Sequence, residues 1–410
     1  MKYSEVAVYL TSTNALTLWT YNAPVLTCAS HGRALPSRHL ERPEEWAILR
    51  AGLPQAARKR GLISTMSENL RAIEAQADIH HQYLLGLQLM VAVREGPEVI
   101  GEWMFRLFRR QHEEKFLSSF AKLGLEGLPD AVACARYHVL SNSMGGVPVE
   151  YMEESDRKAW VRFRYPRWMY DGPTLCGVPV EASRGFLKGW YAQNGVSLKN
   201  PRLGFVCVSE DMTGQFGLCG YFREHDHDLS ADERLRFAPD ERPPAFDPDA
   251  QPAPPDDQWN DLRLVKANRN YAVEYIRNGI RELVGSIGRD RALELAKAAA
   301  RLTGLQNGRK MAEALGTADG GPVEVAGLLS TLFGGMGDET RIDGSESADA
   351  VTVSQNGLRI VRGQTTAERD DLLACWIELW RGVVNSHRAF MAVETSVSAD
   401  SIEWTITRQP

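Results

Sequence analysis

Nowhere in this 410-residue chain do apolar residues run for long. A helix spanning a bilayer needs roughly 20 of them in succession, so a membrane partner is not expected. Cysteine is sparse, at six in the whole chain. That is too few for a disulfide framework in a protein of this length, and it points to reduced thiols and a cytoplasmic location. Positive charge is also short: 47 Lys and Arg face 53 Asp and Glu, for a net charge of −6. A nucleic-acid binder usually carries a basic excess, so that class is disfavoured. The opening MKYSEVAVYLTSTNALTLWTYNAPVL has no basic segment feeding an unbroken apolar one, and does not read as a signal peptide. No phosphate-binding P-loop is present, and no GxGxxG with a following ribose acid, HExxH or GxSxG. What the chain does have is 43% apolar and 24% charged residues. Those are ordinary values for a globular protein, and the length suggests two or three domains.

One boundary stands out. Between Arg236 and Trp259, RFAPDERPPAFDPDAQPAPPDDQW is so rich in proline that neither a helix nor a sheet ladder can persist. It reads as an acidic, extended linker or surface strap, part of a boundary region over 236–264. The same order of elements recurs on either side of it. A helical stretch from about Ile79 to Leu123, broken at Gly96-Pro97, aligns without a gap on a second stretch 192 positions later. Tyr83 then meets Tyr275, Gly96 meets Gly288, Arg109 meets Arg301 and Gly124 meets Gly316. Each block is followed by a Gly-containing stretch, a strand, a Trp-bearing helix and a hairpin. The expectation is an α+β chain built by internal duplication: an N-terminal extension (1–78), a first module (79–235), the linker, and a second, diverged module (265–410). Within the extension, ERPEEWAILRAGLPQAARKRG has the pattern of an amphipathic helix.

The hairpin of the first module, NPRLGFVCVSEDMTGQFGLCGYFRE, and the segments VRFRYPRW and CGVPVEASRGFLKGWYAQNG before it resemble the L-2-amino-thiazoline-4-carboxylic acid hydrolase family. Asn200, Pro201, Leu203, Gly214, Cys219, Phe222 and Arg223 follow that outline. Tyr165 stands where the family tends to have a cysteine, and the second module lacks the hairpin cysteine. The resemblance implies hydrolytic opening of a small ring bearing a carboxylate, of cyclic amidine or thiazoline type. Ligand-binding modules of similar build imply the alternative, a sensor or scaffold that binds without turnover.

Ring opening needs an activated attacker, a proton for the leaving atom, and a hold on the carboxylate. For acid–base work the candidates are Asp171, in the loop MYDGPTLC, and His138, in the apolar ACARYHVL, where a satisfied interior histidine is the plainer reading. Cys176 opens a helix, where a thiol pKa is lowered, and Cys219 lies on the returning hairpin strand. Arginine is the natural partner of a carboxylate. Arg167 and Arg202 sit in the family-like loops, while Arg162 and Arg164 share one face of a strand that is more plainly a solvated face. Tyr137, Trp168 and Glu210 complete the expected binding wall. No cofactor is expected. In REHDHDL, His225, Asp226, His227 and Asp228 have the donors for a divalent ion, but exposed acidic loops look the same. The expected partner is a small molecule, and homo-oligomers are compatible with the pattern.

Overall fold

In the computed structural model the described residues are 60–164, 170–172, 174–213, 217–253, 260–317, 320–344 and 349–409. The first half runs α1 (Arg60–Glu95), α2 (Pro97–Lys115), α3 (Asp130–Met144), β1 (Val149–Ser155), β2 (Lys158–Phe163), α4 (Val180–Gly189), β3 (Leu203–Ser209), β4 (Cys219–Glu224) and β5 (Leu235–Phe237). The second half runs α5 (Asp261–Ile287), α6 (Arg289–Leu315), α7 (Pro322–Met336), β6 (Glu339–Asp343), β7 (Ala350–Asn356), α8 (Thr366–Asn385), β8 (Met391–Val397) and β9 (Ser401–Arg408). The chain is α+β, with two sheets ordered β1-β2-β4-β3-β5 and β6-β7-β9-β8. Every strand pair is antiparallel except β3 with β5.

The spacing seen in the sequence extends to the element boundaries. α3 begins at Asp130 and ends at Met144, while α7 begins at Pro322 and ends at Met336, each pair 192 apart. β2 begins at Lys158 and β7 at Ala350, again 192 apart. The breaks between the first two helices of each half fall at Gly96 and Gly288, with φ of 91° and 82°. Positive φ suits glycine, and it lets the chain turn sharply between helices one residue apart.

The halves interlock through their first helices. From α1, Tyr83 donates its hydroxyl to the Ala296 carbonyl of α6 at 2.9 Å, and Gln76 donates to the Leu332 carbonyl of α7 at 2.6 Å. From α2, the Trp103 indole donates to the Gly279 carbonyl of α5 at 2.8 Å, while Arg106 and Arg110 pair with Glu282. The first helix starts at Arg60, well ahead of the boundary expected at 79, and from Ala72 onward its inner face (Ile73, Ala77, Tyr83, Leu84) is buried. The segment expected as an amphipathic helix before it lies outside the described residues, apart from its last two positions.

The proline-rich segment carries little regular structure: β5 takes its first residues and a 3-10 turn covers Pro248–Ala250, while 254–259 lie outside the described residues. The end of the expected boundary region, 261–264, is helix, since α5 starts at Asp261 under an Asn260 side-chain cap that accepts from the Arg263 amide. The segment acts as a strap. Tyr221 donates to Glu241 at 3.0 Å, and the Gln251 side chain both accepts from the Tyr151 amide and donates to its carbonyl, at 2.9 Å each. Ala238 packs on a separate apolar cluster of Met152, Trp160, Val206, Val208, Cys219 and Tyr221. The first sheet is therefore apolar on both faces, with helices on one and the strap on the other.

Candidate functional site

Inside the first half, α2, α3, α4 and the sheet enclose an aromatic chamber. The α-helical rise sets Phe108, His112 and Phe116 four residues apart on one face of α2, and all three are buried. α3 contributes Cys134, Tyr137 and His138, and the segment after α4 contributes Trp190, Tyr191 and Asn194. The His138 ring stacks on Tyr191, with centroids 3.9 Å apart, and runs parallel to Phe222 of β4 at 5.3 Å, Tyr191 and Phe222 being 5.5 Å from each other. Trp190 stands edge-on to His112 at 5.7 Å.

Asn194 is the polar hub. It is fully buried, and its Nδ2 donates to His138 Nε2 at 3.1 Å. That bond requires an unprotonated Nε2, so the imidazole carries its hydrogen on Nδ1. Burial, with His112 nearby, pushes the His138 pKa well down. His112 is lowered to about 4 by burial and by Arg109, with Asn194 opposing the shift. Burial also drives the Cys134 thiol well up. The chamber thus holds its titratable groups neutral. Although Asn194 is near His112 and Cys134, neither ring nitrogen of His112, nor Asn194 Oδ1, nor Trp190 Nε1 makes a well-formed hydrogen bond among the described residues. Buried polar groups without partners are costly.

Beside this hub lies a cavity of about 40 Å³. Its walls include Phe108, His138, Ser141, Asn142, Phe186 and Trp190 from the first half, and Asn268, Tyr271 and Tyr275 from α5 of the second. It is roughly the space of one or two waters, and the crossing helix α5 closes it.

The residues expected from the sequence are only partly brought together. Tyr137 and His138 meet in the chamber. Cys219 does not join them: strand alternation turns it, with Tyr221, to the opposite face under the strap, where burial raises its pKa to about 12. Cys207 pairs with Gly220 and faces the helices, so the two hairpin thiols look to opposite sides. Asp171 and Cys176 are exposed. Arg202 is exposed and pairs with Glu224 at 2.9 Å. Glu210 is buried, holding Arg184 of α4 through two bonds of 2.8 and 3.0 Å, which ties the helix to the end of β3. Arg162 and Arg164 both pair with Glu150. Arg167 and Trp168 lie outside the described residues. In the REHDHDL loop Asp226 pairs with Arg157 and His227 approaches Glu233 at 4.0 Å, and among the described residues no group of three or more His, Cys, Asp or Glu is placed to hold a metal ion.

The sequence reading missed His112, Cys134, Asn194, Trp190 and the two tyrosines of α5. Its available signal was the four-residue spacing of Phe108, His112 and Phe116, masked by the charges of RRQHEEK around the histidine. Tyr271 and Tyr275 gave no local signal, since they reach the chamber across the fold. No family model, no curated protein and no solved structure matches this chain. No described helix is long and apolar enough to cross a membrane.

Proposed function

We propose that the protein binds a small, neutral, ring-shaped ligand in the first-half chamber, whose cavity of about 40 Å³ must widen to admit the ring, as a sensor or scaffold made from two copies of one α+β module. Duplication is supported by the common strand order and the 192-residue spacing of element boundaries. The observation that carries the binding reading is internal to the chain. At the positions of Phe108, His112, Phe116 and His138, the second half has Ala300, Gly304, Gly308 and Ser330. There α6 and α8 close directly on each other: a Cβ on Gly304 would meet the Leu379 carbonyl and stand 2.7 Å from the Val383 amide. Both crossings bring helix backbones together, α4 meeting α2 at Gly185 and Gly189 as α6 meets α8 at Gly304 and Gly308, but beside the contact one copy has aromatic and hydrogen-bonding side chains and the other has alanine, glycine and serine. No cationic side chain lines the cavity, which favours an uncharged ligand.

The test is calorimetric titration with neutral heterocycles, imidazole and thiazole among them. Binding to the wild type that disappears in Asn194→Leu at unchanged melting temperature is expected. Affinity that survives both Asn194→Leu and His112→Leu, or no binding across the panel, ends this reading.

A hydrolase opening a carboxylate-bearing thiazoline or cyclic amidine, as the family resemblance suggests, is the second reading. It draws on the convergence of His138, Ser141, Asn142, Asn268 and Tyr271 on one cavity. His138, its Nε2 taken by Asn194, would donate its Nδ1–H to the atom that leaves the ring, and Arg167 would hold the carboxylate. Incubation with L-2-amino-thiazoline-4-carboxylate, followed by loss of the ring, tests it. His138→Gln should slow turnover by about 10²–10⁴, and a wild type without turnover excludes it for this substrate.

A further inference from the structure

The second half carries a concentration of positive charge that the chamber does not use. The guanidiniums of Arg269, Arg359 and Arg362 are near enough to repel one another, with Asp338 the carboxylate among them. Asp338 is already engaged: Oδ1 accepts the Arg359 amide at 2.9 Å and Oδ2 accepts Gln355 at 2.7 Å. Arg269, 4% exposed, reaches from α5 and donates to the Gly335 carbonyl at 2.8 Å and to Asn270. Burial and the charge of Arg359 pull its pKa down to about 10. The Arg359 side chain forms no ion pair among the described residues, and its Nε is shut off from solvent without a hydrogen-bond partner.

The heads of Arg269 and Arg359 meet over a bare turn, with exposed Arg362 three residues beyond Arg359 in the chain. Gly337 has φ of 95°, and a Cβ there would stand 3.3 Å from Arg359 Nε and 3.7 Å from Arg269 Nη1. Arg277, also from α5, fixes the far side of the turn by donating to the Ile360 and Arg359 carbonyls at 3.0 and 2.9 Å. Capping the carbonyl end of α7 accounts for Arg269. It leaves the inward Nε of Arg359 and the charge of Arg362 unexplained, in a chain whose net charge is −6.

We propose that Arg269, Arg359 and Arg362 form a binding site for a small oxyanion, a phosphate or carboxylate group, over the Gly337–Asp338 turn. An oxyanion accepts several charge-assisted bonds from guanidinium forks and offsets their mutual repulsion. The site is separate from the neutral chamber and does not depend on it.

Inorganic phosphate and acetate are titrated into the full-length protein by calorimetry at constant ionic strength, with sodium chloride as reference. Phosphate should bind the wild type, and Arg359→Gln should weaken it by at least about tenfold, the scale of one charge-assisted bond. Arg362→Gln, an exposed change that the fold tolerates, should weaken it as well and stands in if Arg359→Gln fails to fold. Tighter phosphate than acetate assigns the phosphate class, and the reverse assigns the carboxylate class. No binding of either ion beyond chloride, or equal affinity in wild type and the folded variants, overturns the site.

Discussion

The two helix crossings, α2 with α4 and α6 with α8, show how one architecture reaches opposite ends. In the first half, α2 presents Phe108, His112 and Phe116, and the crossing holds an aromatic room around His138 and Asn194. In the second, α6 presents Ala300, Gly304 and Gly308; both crossings bring backbones together, at Gly185 and Gly189 in the first and at Gly304 and Gly308 in the second, so the difference lies in the side chains beside the contact. Side-chain size on one helix face decides whether the space between helices and sheet is a chamber or a contact. The sheets differ in a similar way. The outward face of the first is apolar and needs the strap. That of the second shows Thr352 opposite Thr405 and Ser354 opposite Glu403. Polar functions follow the split: neutral groups converge in the first half, and guanidiniums gather in the second.

The largest test of this contrast transplants the difference. Gly304→His puts the counterpart of His112 where backbone already sits, and should cost more than about 4 kcal/mol in chemical denaturation, or prevent folding. The reciprocal His112→Gly removes a ring from the roomier crossing and should cost less, about 2–4 kcal/mol. Equal costs would erase the distinction between the crossings.

Acid comes next, because each half buries a neutral histidine. His112 lies in the chamber, and His80 of α1 reaches into the second half, where Trp376 Nε1 donates to it at 3.0 Å; burial lowers both to about 4. Below about 6.5 the unfolded chain takes up protons that the folded chain refuses. Stability should therefore fall as pH drops below 6.5, by about 3 kcal/mol for each of these two by pH 4, and go on falling beneath that through His81, lowered to about 3, and His138. His112→Leu should remove one proton from the slope between those limits and leave the contribution of His80. A slope unchanged by His112→Leu would mean that the chamber is open to water.

Smaller effects sharpen the contrast between the sheets and the boundary of the site. Gln251→Ala removes both bonds from the strap to Tyr151 and should cost about 1–2 kcal/mol, with faster amide exchange at the edge of β1 and none gained at β6. Asp171→Asn and Cys176→Ser, at exposed positions, should each change stability by less than about 0.5 kcal/mol and leave ligand affinity unaltered. A large loss of affinity in either variant would move the site toward the loop before α4.

Much of the scaffold was readable in one dimension. The break at Gly96-Pro97, its partner at Gly288 and the strand alternation that sets Arg162 and Arg164 on one face are local events, set by backbone stereochemistry and by periods of 3.6 and 2. Proline density likewise forecast a strap with little regular structure. The candidate site was legible only at Tyr137 and His138, since their neighbours are chosen by the fold. A strand period names the two faces of β4 but not which one meets the helices, so Cys219 went to the strap side and Phe222 to the chamber. The crossing of α1 and α5 between halves, which brings Tyr271 and Tyr275 to His138 and Arg269 to Gly337, depends on which apolar helix faces bury best against each other. That is a competition among surfaces far apart in the chain, decided by packing in three dimensions.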